Sequence, residues 1–274
     1  MRSYKLYAAL TAIALLGLSC SKVPITNRRQ TNLFSESEMM NLGRQNYTKF
    51  LQTNMVVPVS DPQTVLVKKV GNNISKAITD HLKTIGKQKR IAGYVWEFNL
   101  IKDDKTVNAW CMPGGKVAVY TGLLPVTKDE DGLAVVMGHE VAHAIARHGN
   151  ERMSQATMVK AGGAVVSAVA GASASTAGYQ KAFENVYGVG SAIGQLAYSR
   201  KHETEADKLG LVFMALAGYD PSKAVDFWQR MAANGGGNVP QIMSTHPSDE
   251  KRIKDIKEFL PTAMKYYKKP VPGK

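Results

Sequence analysis

Apolar and polar positions along the chain repeat with two different periods. Ser35 and Glu38 form a capping box, which predicts a helix running to about Gln52. Asp61-Pro62 starts a second helix with proline at its first position, and Val65, Val70, Ile74 and Ile78 give it an apolar stripe at helical spacing. From Tyr94 to Leu100 the period shortens to that of a strand, with Tyr94, Trp96 and Phe98 on one face. Lys102–Lys105 reads as a charged turn, and Val107–Met112 and Lys116–Thr121 as strands around Pro113-Gly114-Gly115. Asp129–Arg152 returns to helical spacing as one long helix. Asp129, Glu130 and Asp131 open it and Arg147 and Arg152 close it, as the helix dipole favours; Leu133, Val136, Met137, Val141, Ala144 and Ile145 form its buried face. His202–Ala217, ended by Gly218, and a helix begun by Asp220-Pro221 follow, and Pro247–Leu260 is the last. The pattern predicts an α+β fold, mostly helical, with a small antiparallel sheet and no alternating βαβ series.

At 274 residues, with 44% hydrophobic and 21% charged residues, the chain has material for one core. Its net charge of +13 favours anionic surfaces, but the lysines are spread out and no aromatic-plus-basic repeat accompanies them, so nucleic acid is not an expected partner. Residues 161–180 are uncharged and rich in Ala, Gly and Ser. Such a segment transfers weakly to lipid and reads as a close-packed helical hairpin or a mobile loop near the site. Asn234–Asn238 is a glycine-rich loop, and there is no internal repeat.

The first residues divide the chain further. Arg2 and Lys5 precede an apolar run from Leu6 to Leu18, too short for a comfortable membrane span, and Ser19-Cys20-Ser21 follows. This reads as a signal peptide over 1–19, a polar tether over 20–34 and a single domain over 35–274. Cys20 directly after the apolar run resembles a bacterial lipoprotein signal, although Gly17 stands where leucine is usual and Leu16 lies one place further off. An ordinary secretory signal or an uncleaved anchor is the alternative. With Cys20 acylated, only Cys111 is left, and the mature chain has no intrachain disulfide.

His139-Glu140-Val141-Ala142-His143 lies inside the long apolar helix. Residues four apart share a helical face, so the two imidazoles can hold one zinc ion, and Glu140 can serve as general base toward the attacking water. The bland alternative, two surface histidines, fits poorly with an apolar, buried helix. A catalytic zinc needs a third protein ligand. Glu203 is the candidate, with His202 beside it as a rival. Asp207, one turn on, is placed to accept a hydrogen bond from a liganding histidine. Glu205 points away from Asp207 and reads as solvated.

These residues, with Ser199-Arg200, Asn108-Ala109, Pro113-Gly114-Gly115, Thr121-Gly122-Leu123-Leu124, Ser244-Thr245-His246-Pro247 and Arg252-Ile253, resemble one family of zinc metallopeptidases. It is the family of the CAAX-prenyl endopeptidase, the HtpX heat-shock protease and the periplasmic BepA-type lipoproteins. The resemblance covers nearly all of the chain after residue 19. It implies a gluzincin: one Zn2+ per chain held by His139, His143 and Glu203, with Glu140 as base. It further implies a strand at Asn108–Met112 lying beside the zinc and offering its edge to an extended peptide. Asn108 either bonds the peptide backbone or caps the Lys102–Lys105 turn. His246 either stabilises the oxyanion, occupies the open zinc position, or merely begins the last helix. His148 and His81 read as surface histidines. The expected substrates are cell-envelope proteins in quality control, at the periplasmic face of a bacterial envelope with a lipid anchor on Cys20. A gated, chaperone-like client binder is the alternative.

Overall fold

The computed structural model describes residues 20–160, 176–187, 198–233, 241–246 and 250–268. The segment at 161–175 and the loop at 234–240, read above as a hairpin or loop and as a glycine-rich loop, lie outside the described residues. Helix α1 (Glu36–Thr53) starts as its capping box requires: Ser35 Oγ accepts the Glu38 N–H at 3.3 Å, and Glu38 Oε2 accepts the Ser35 N–H at 3.0 Å. Helix α2 (Pro62–Thr84) begins at Asp61, whose carboxylate accepts the Gln63 N–H. Its buried stripe is Val67, Val70, Ile74, Ile78 and Leu82. Val65, expected in that stripe, is 52% exposed.

Strands β3 (Glu97–Ile101), β4 (Ala109–Met112) and β5 (Lys116–Tyr120) form a sheet in the order β3-β5-β4. The β4–β5 hairpin is antiparallel, with Ala109 opposite Val119 and Met112 opposite Lys116. The sheet is nevertheless mixed, because β3 runs parallel to β5, with Glu97 opposite Lys116 and Ile101 opposite Tyr120. After β3 the chain crosses to the far edge, lays down β4, and returns into the middle as β5. The return is a tight turn in which Gly114 and Gly115 take φ of 87° and 81°; at Gly115 a Cβ would sit 2.6 Å from the Trp96 ring.

Residues 20–34, expected as a tether, are folded onto the body. Strands β1 (Cys20–Lys22) and β2 (Arg29–Thr31) pair antiparallel. Val23 and Gln30 are buried, and the Leu33 N–H donates to Ser154 Oγ at 2.8 Å. The polar residues that suggested a solvated tether are here the donors that satisfy buried acceptors. The Gln30 side chain donates to the Ala146 carbonyl at 2.7 Å and accepts from Arg90 at 2.7 Å, while Arg90 also donates to the Ile145 carbonyl. Those carbonyls end the central helix and have no intrahelical partner.

After a short helix α3 (Leu124–Thr127) comes that central helix, α4 (Glu130–Ala146). Asp129 caps it by accepting the Gly132 N–H at 2.8 Å, and every residue from Gly132 to Ala146 is buried. The expected single helix to Arg152 is broken. Arg147 turns left-handed at φ 60°, and a new helix α5 (His148–Lys160) begins after it. Helices α6 (Thr176–Tyr187), α7 (Arg200–Leu216), α8 (Lys223–Ala233), α9 (Gln241–Thr245) and α10 (Glu250–Ala263) complete the chain. Among the described residues no helix is long and apolar enough to cross a membrane.

Helices α4 and α7 touch backbone to backbone where Gly138 faces Gly210. A Cβ on Gly210 would sit 2.9 Å from the His139 nitrogen, and one on Gly138 would sit 2.9 Å from the Gly210 carbonyl oxygen. This close approach brings carboxylates of α7 within reach of histidines on α4. Gly210→Ala is expected to push the helices apart and destabilise the chain by about 1–3 kcal/mol, measured by urea unfolding. An unchanged midpoint would show that the contact tolerates a methyl group.

Candidate metal centre

His139, Glu140 and His143 all lie on the buried helix α4, and Glu203 and Asp207 on α7. His246 follows α9, and Arg252 comes from α10. All seven side chains are buried. The Nε2 atoms of His139 and His143 lie 3.1 Å apart. Glu203 faces both: its Oε2 is 3.3 Å from His139 Nε2 and its Oε1 is 3.3 Å from His143 Nε2. His246 joins this group, with Nδ1 at 3.1 Å from His139 Nε2 and 2.9 Å from Glu203 Oε1. One donor atom from each of these four residues falls within 4.8 Å of the others.

The donor set fits a zinc ion. Four N or O atoms held tetrahedrally at about 2.0–2.1 Å from zinc stand about 3.3–3.4 Å apart, close to the spacing seen. Glu203 Oε2 and Glu140 Oε1 accept no hydrogen bond among the described residues; Arg252 Nη1 stands 3.3 Å from the first and His246 Nε2 3.5 Å from the second, and a bound cation would add to this compensation.

The surroundings tune each group. Burial lifts the Glu140 carboxyl to about 7; the nearby His246 ring opposes this and Glu203 adds to it. Burial would also raise Glu203, but His246 and His139 outweigh it and hold the carboxyl well below the usual carboxylate range. For His143 burial wins and pushes the ring well below its ordinary value, although Glu203 opposes it. For His139 burial loses, and Glu203 with the Asp207 hydrogen bond raises the ring above its ordinary value.

Asp207 Oδ1 lies 2.9 Å from His139 Nδ1, on the far side of the ring from the donor cluster. Arg252 clamps that carboxylate from two directions, Nε to Oδ2 at 2.8 Å and Nη2 to Oδ1 at 2.7 Å. Its guanidinium lies 3.5 Å from the centre of the Trp228 ring and also donates to the His246 carbonyl. Arg252 thus ties the segment carrying His246 to the partner of His139. Its own spacing in the sequence carried no sign of this role. Tyr198, also unread in the sequence, stacks on the His143 ring with centroids 4.0 Å apart.

Several candidates fall elsewhere. His202 does not join the donor cluster; its Nε2 pairs with Glu151 at 3.1 Å. His148, expected at the surface, is fully buried, with Nδ1 2.9 Å from His143 Nδ1, and burial pushes its ring down to about 4. The break at Arg147 folds it back there. Glu205, expected to be solvated, is buried and ion-paired with Arg28 at 2.6 Å. Asn108 is buried and its Oδ1 accepts the Ala109 N–H. The Lys102–Lys105 turn is held by Asp103, which accepts from the Lys105 and Thr106 N–H groups.

A histidine pair one helical turn apart, a glutamate between them and a second carboxylate from the facing helix define a metallopeptidase of the gluzincin kind. The chain belongs to peptidase family M48, whose family model matches residues 72–260. It is similar to the mitochondrial metalloendopeptidase OMA1 of Schizosaccharomyces pombe, 37% identical over 88% of this chain and 66% of that protein. The Saccharomyces cerevisiae protein of the same name is 31% identical over 93% of this chain and 75% of its own length. The beta-barrel assembly-enhancing protease of Escherichia coli is 29% identical over 59% of this chain and 34% of its own length. These relatives correct the expected placement at the periplasmic face of a bacterial envelope. Proteins named mitochondrial match nearly the whole chain, so the shared motifs carry no envelope signature. The expected lipid anchor on Cys20 rests on residues 1–19, outside the described residues.

Proposed function

We propose that this chain is a zinc-dependent endopeptidase acting on extended segments of unfolded or misassembled proteins, in protein quality control. The observation that carries the reading is the convergence of His139, His143 and Glu203 beside the buried Glu140 carboxylate. His139, His143 and Glu203 would hold the zinc, which supplies a Lewis acid to polarise the scissile carbonyl and make water acidic. Glu140, a buried carboxylate, takes the proton from the attacking water and returns it to the leaving amine. Asp207 and Arg252 hold the His139 ring in place. Strand β4 is an edge strand of its sheet, which suits pairing with an extended peptide, and Asn108 at its start is the candidate to bond the peptide backbone. The test is hydrolysis of an unfolded protein by the zinc-loaded chain, compared with Glu140→Gln.

One observation favours a second reading, in which the peptidase is gated and binds clients while closed. His246 Nδ1 stands in the donor cluster at the fourth position, and its Nε2 is 3.5 Å from Glu140 Oε1. A catalytic zinc keeps that position open for water and substrate. His246→Ala is therefore expected to raise the cleavage rate, by the inverse of the fraction of molecules already open. A fall in rate instead would assign His246 to the oxyanion.

A further inference from the structure

A second buried polar cluster adjoins the donor cluster, and the proposed chemistry does not use it. It comprises the buried His148, Glu205, Glu151 and His202, closed by the half-buried Arg28 of the N-terminal hairpin. Arg28 bridges the two carboxylates: its Nε donates to Glu205 Oε2 at 2.6 Å, and its two terminal nitrogens donate to Glu151 at 2.8 and 2.7 Å. Thr26 donates to the other oxygen of Glu205. Glu205 Oε2 also lies 3.0 Å from His148 Nε2, and His148 Nδ1 lies 2.9 Å from His143 Nδ1.

This chain of contacts admits one arrangement of protons when His143 holds a metal through Nε2. An ionised carboxylate only accepts, so His148 donates from Nε2 and turns a lone pair outward at Nδ1. Two imidazole nitrogens 2.9 Å apart need one proton between them, so His143 carries its proton on Nδ1. Its lone pair then sits on Nε2, the atom that faces His139 and Glu203. For His139 a carboxylate, Asp207, does the same work directly. His143 is served through one intervening imidazole.

We propose that His148 and Glu205 are positioning residues of the metal centre, fixing the tautomer of His143, and that Arg28 and Thr26 of the N-terminal hairpin hold Glu205 in place for this. The proposal rests on the reading of His143 as a zinc ligand. It makes residues 20–34 part of the active-site scaffold.

Two measurements on the full, zinc-loaded chain test it. Long-range proton–nitrogen NMR correlations of 15N-labelled histidines are expected to show His148 protonated on Nε2 and bare on Nδ1. A wild-type His148 protonated on Nδ1 overturns the proposal. In chelator-competition titrations, Glu205→Met is expected to weaken zinc binding about 10–100-fold. Glu205→Gln keeps an acceptor oxygen and is expected to stay much closer to wild type. Equal zinc affinity in wild type and Glu205→Met overturns the proposal, as does an equal loss in both variants, which would mark a packing role. If Glu205→Met does not fold, the wild-type spectrum decides alone. Failure of the underlying reading looks different: His143→Ala then binds zinc as tightly as wild type, and the relay falls with it.

Discussion

Glu140→Gln should leave a folded, zinc-loaded chain that does not cut peptides. The carboxamide has the size of the carboxylate, and Glu140 is not among the four residues whose donor atoms converge. What it lacks is the ability to take up a proton and hand it on. Burial raises the Glu140 carboxyl above its ordinary value, and the charge of a bound zinc would oppose that rise and keep the group ionised to take a proton. Proton transfer by a positioned side chain contributes about 10²–10⁴-fold in rate, and the loss should be of that order or larger. Initial rates on a quenched-fluorescent peptide, with zinc per chain determined by atomic emission, measure both halves of the expectation. A variant that keeps zinc and cuts within tenfold of wild type would remove Glu140 from its role.

The second large effect is on the metal itself. His143→Ala removes one of two imidazoles held one turn apart and leaves His139, Glu203 and His246 of the converging donors. Outer-shell losses already cost metal sites about 10–100-fold in affinity, so losing a ligand should cost more than that. Zinc stabilises the folded chain in proportion to the logarithm of its concentration over Kd. Wild type should therefore melt at a higher temperature as zinc is added, while His143→Ala should melt at the same temperature with or without it. Full zinc occupancy in that variant would refute the ligand set. The zinc-dependent shift, rather than the melting temperature alone, separates loss of metal from the cavity left beside Tyr198.

How much of this the sequence disclosed depended on distance along the chain. The histidine pair was legible because helical geometry alone puts residues four apart on one face, and burial of α4 from Gly132 to Ala146 follows from the apolar residues that surround the pair. The caps at Ser35 and Asp61 were legible for the same local reason. Glu203 and Asp207 could be read as a pair on one face turned toward the histidines, though not the backbone contact of Gly138 with Gly210 that brings the two helices together. His148 was misread because nothing local announces a left-handed arginine at 147. Glu205 was assigned its face correctly, but the helical wheel does not say what packs there, and Arg28 arrives from far away in the chain. The sheet was expected as antiparallel because hairpins are what short spacings reveal. The parallel β3–β5 pair is formed by residues on either side of β4.

The wide reach of these contacts has a consequence for how the protein comes into being. Arg28 meets Glu205 across 177 positions, and Arg252 meets Asp207 and His139 across 45 and 113. Contacts so far apart are slow to close, because the entropy of long loops is spent before the contacts form. On the ribosome the metal helix emerges long before Arg252. A nascent chain therefore carries the His139–His143 pair without the clamp that steadies it. Proteolytic competence is therefore expected only once synthesis has passed α10 and Arg252 can close on Asp207.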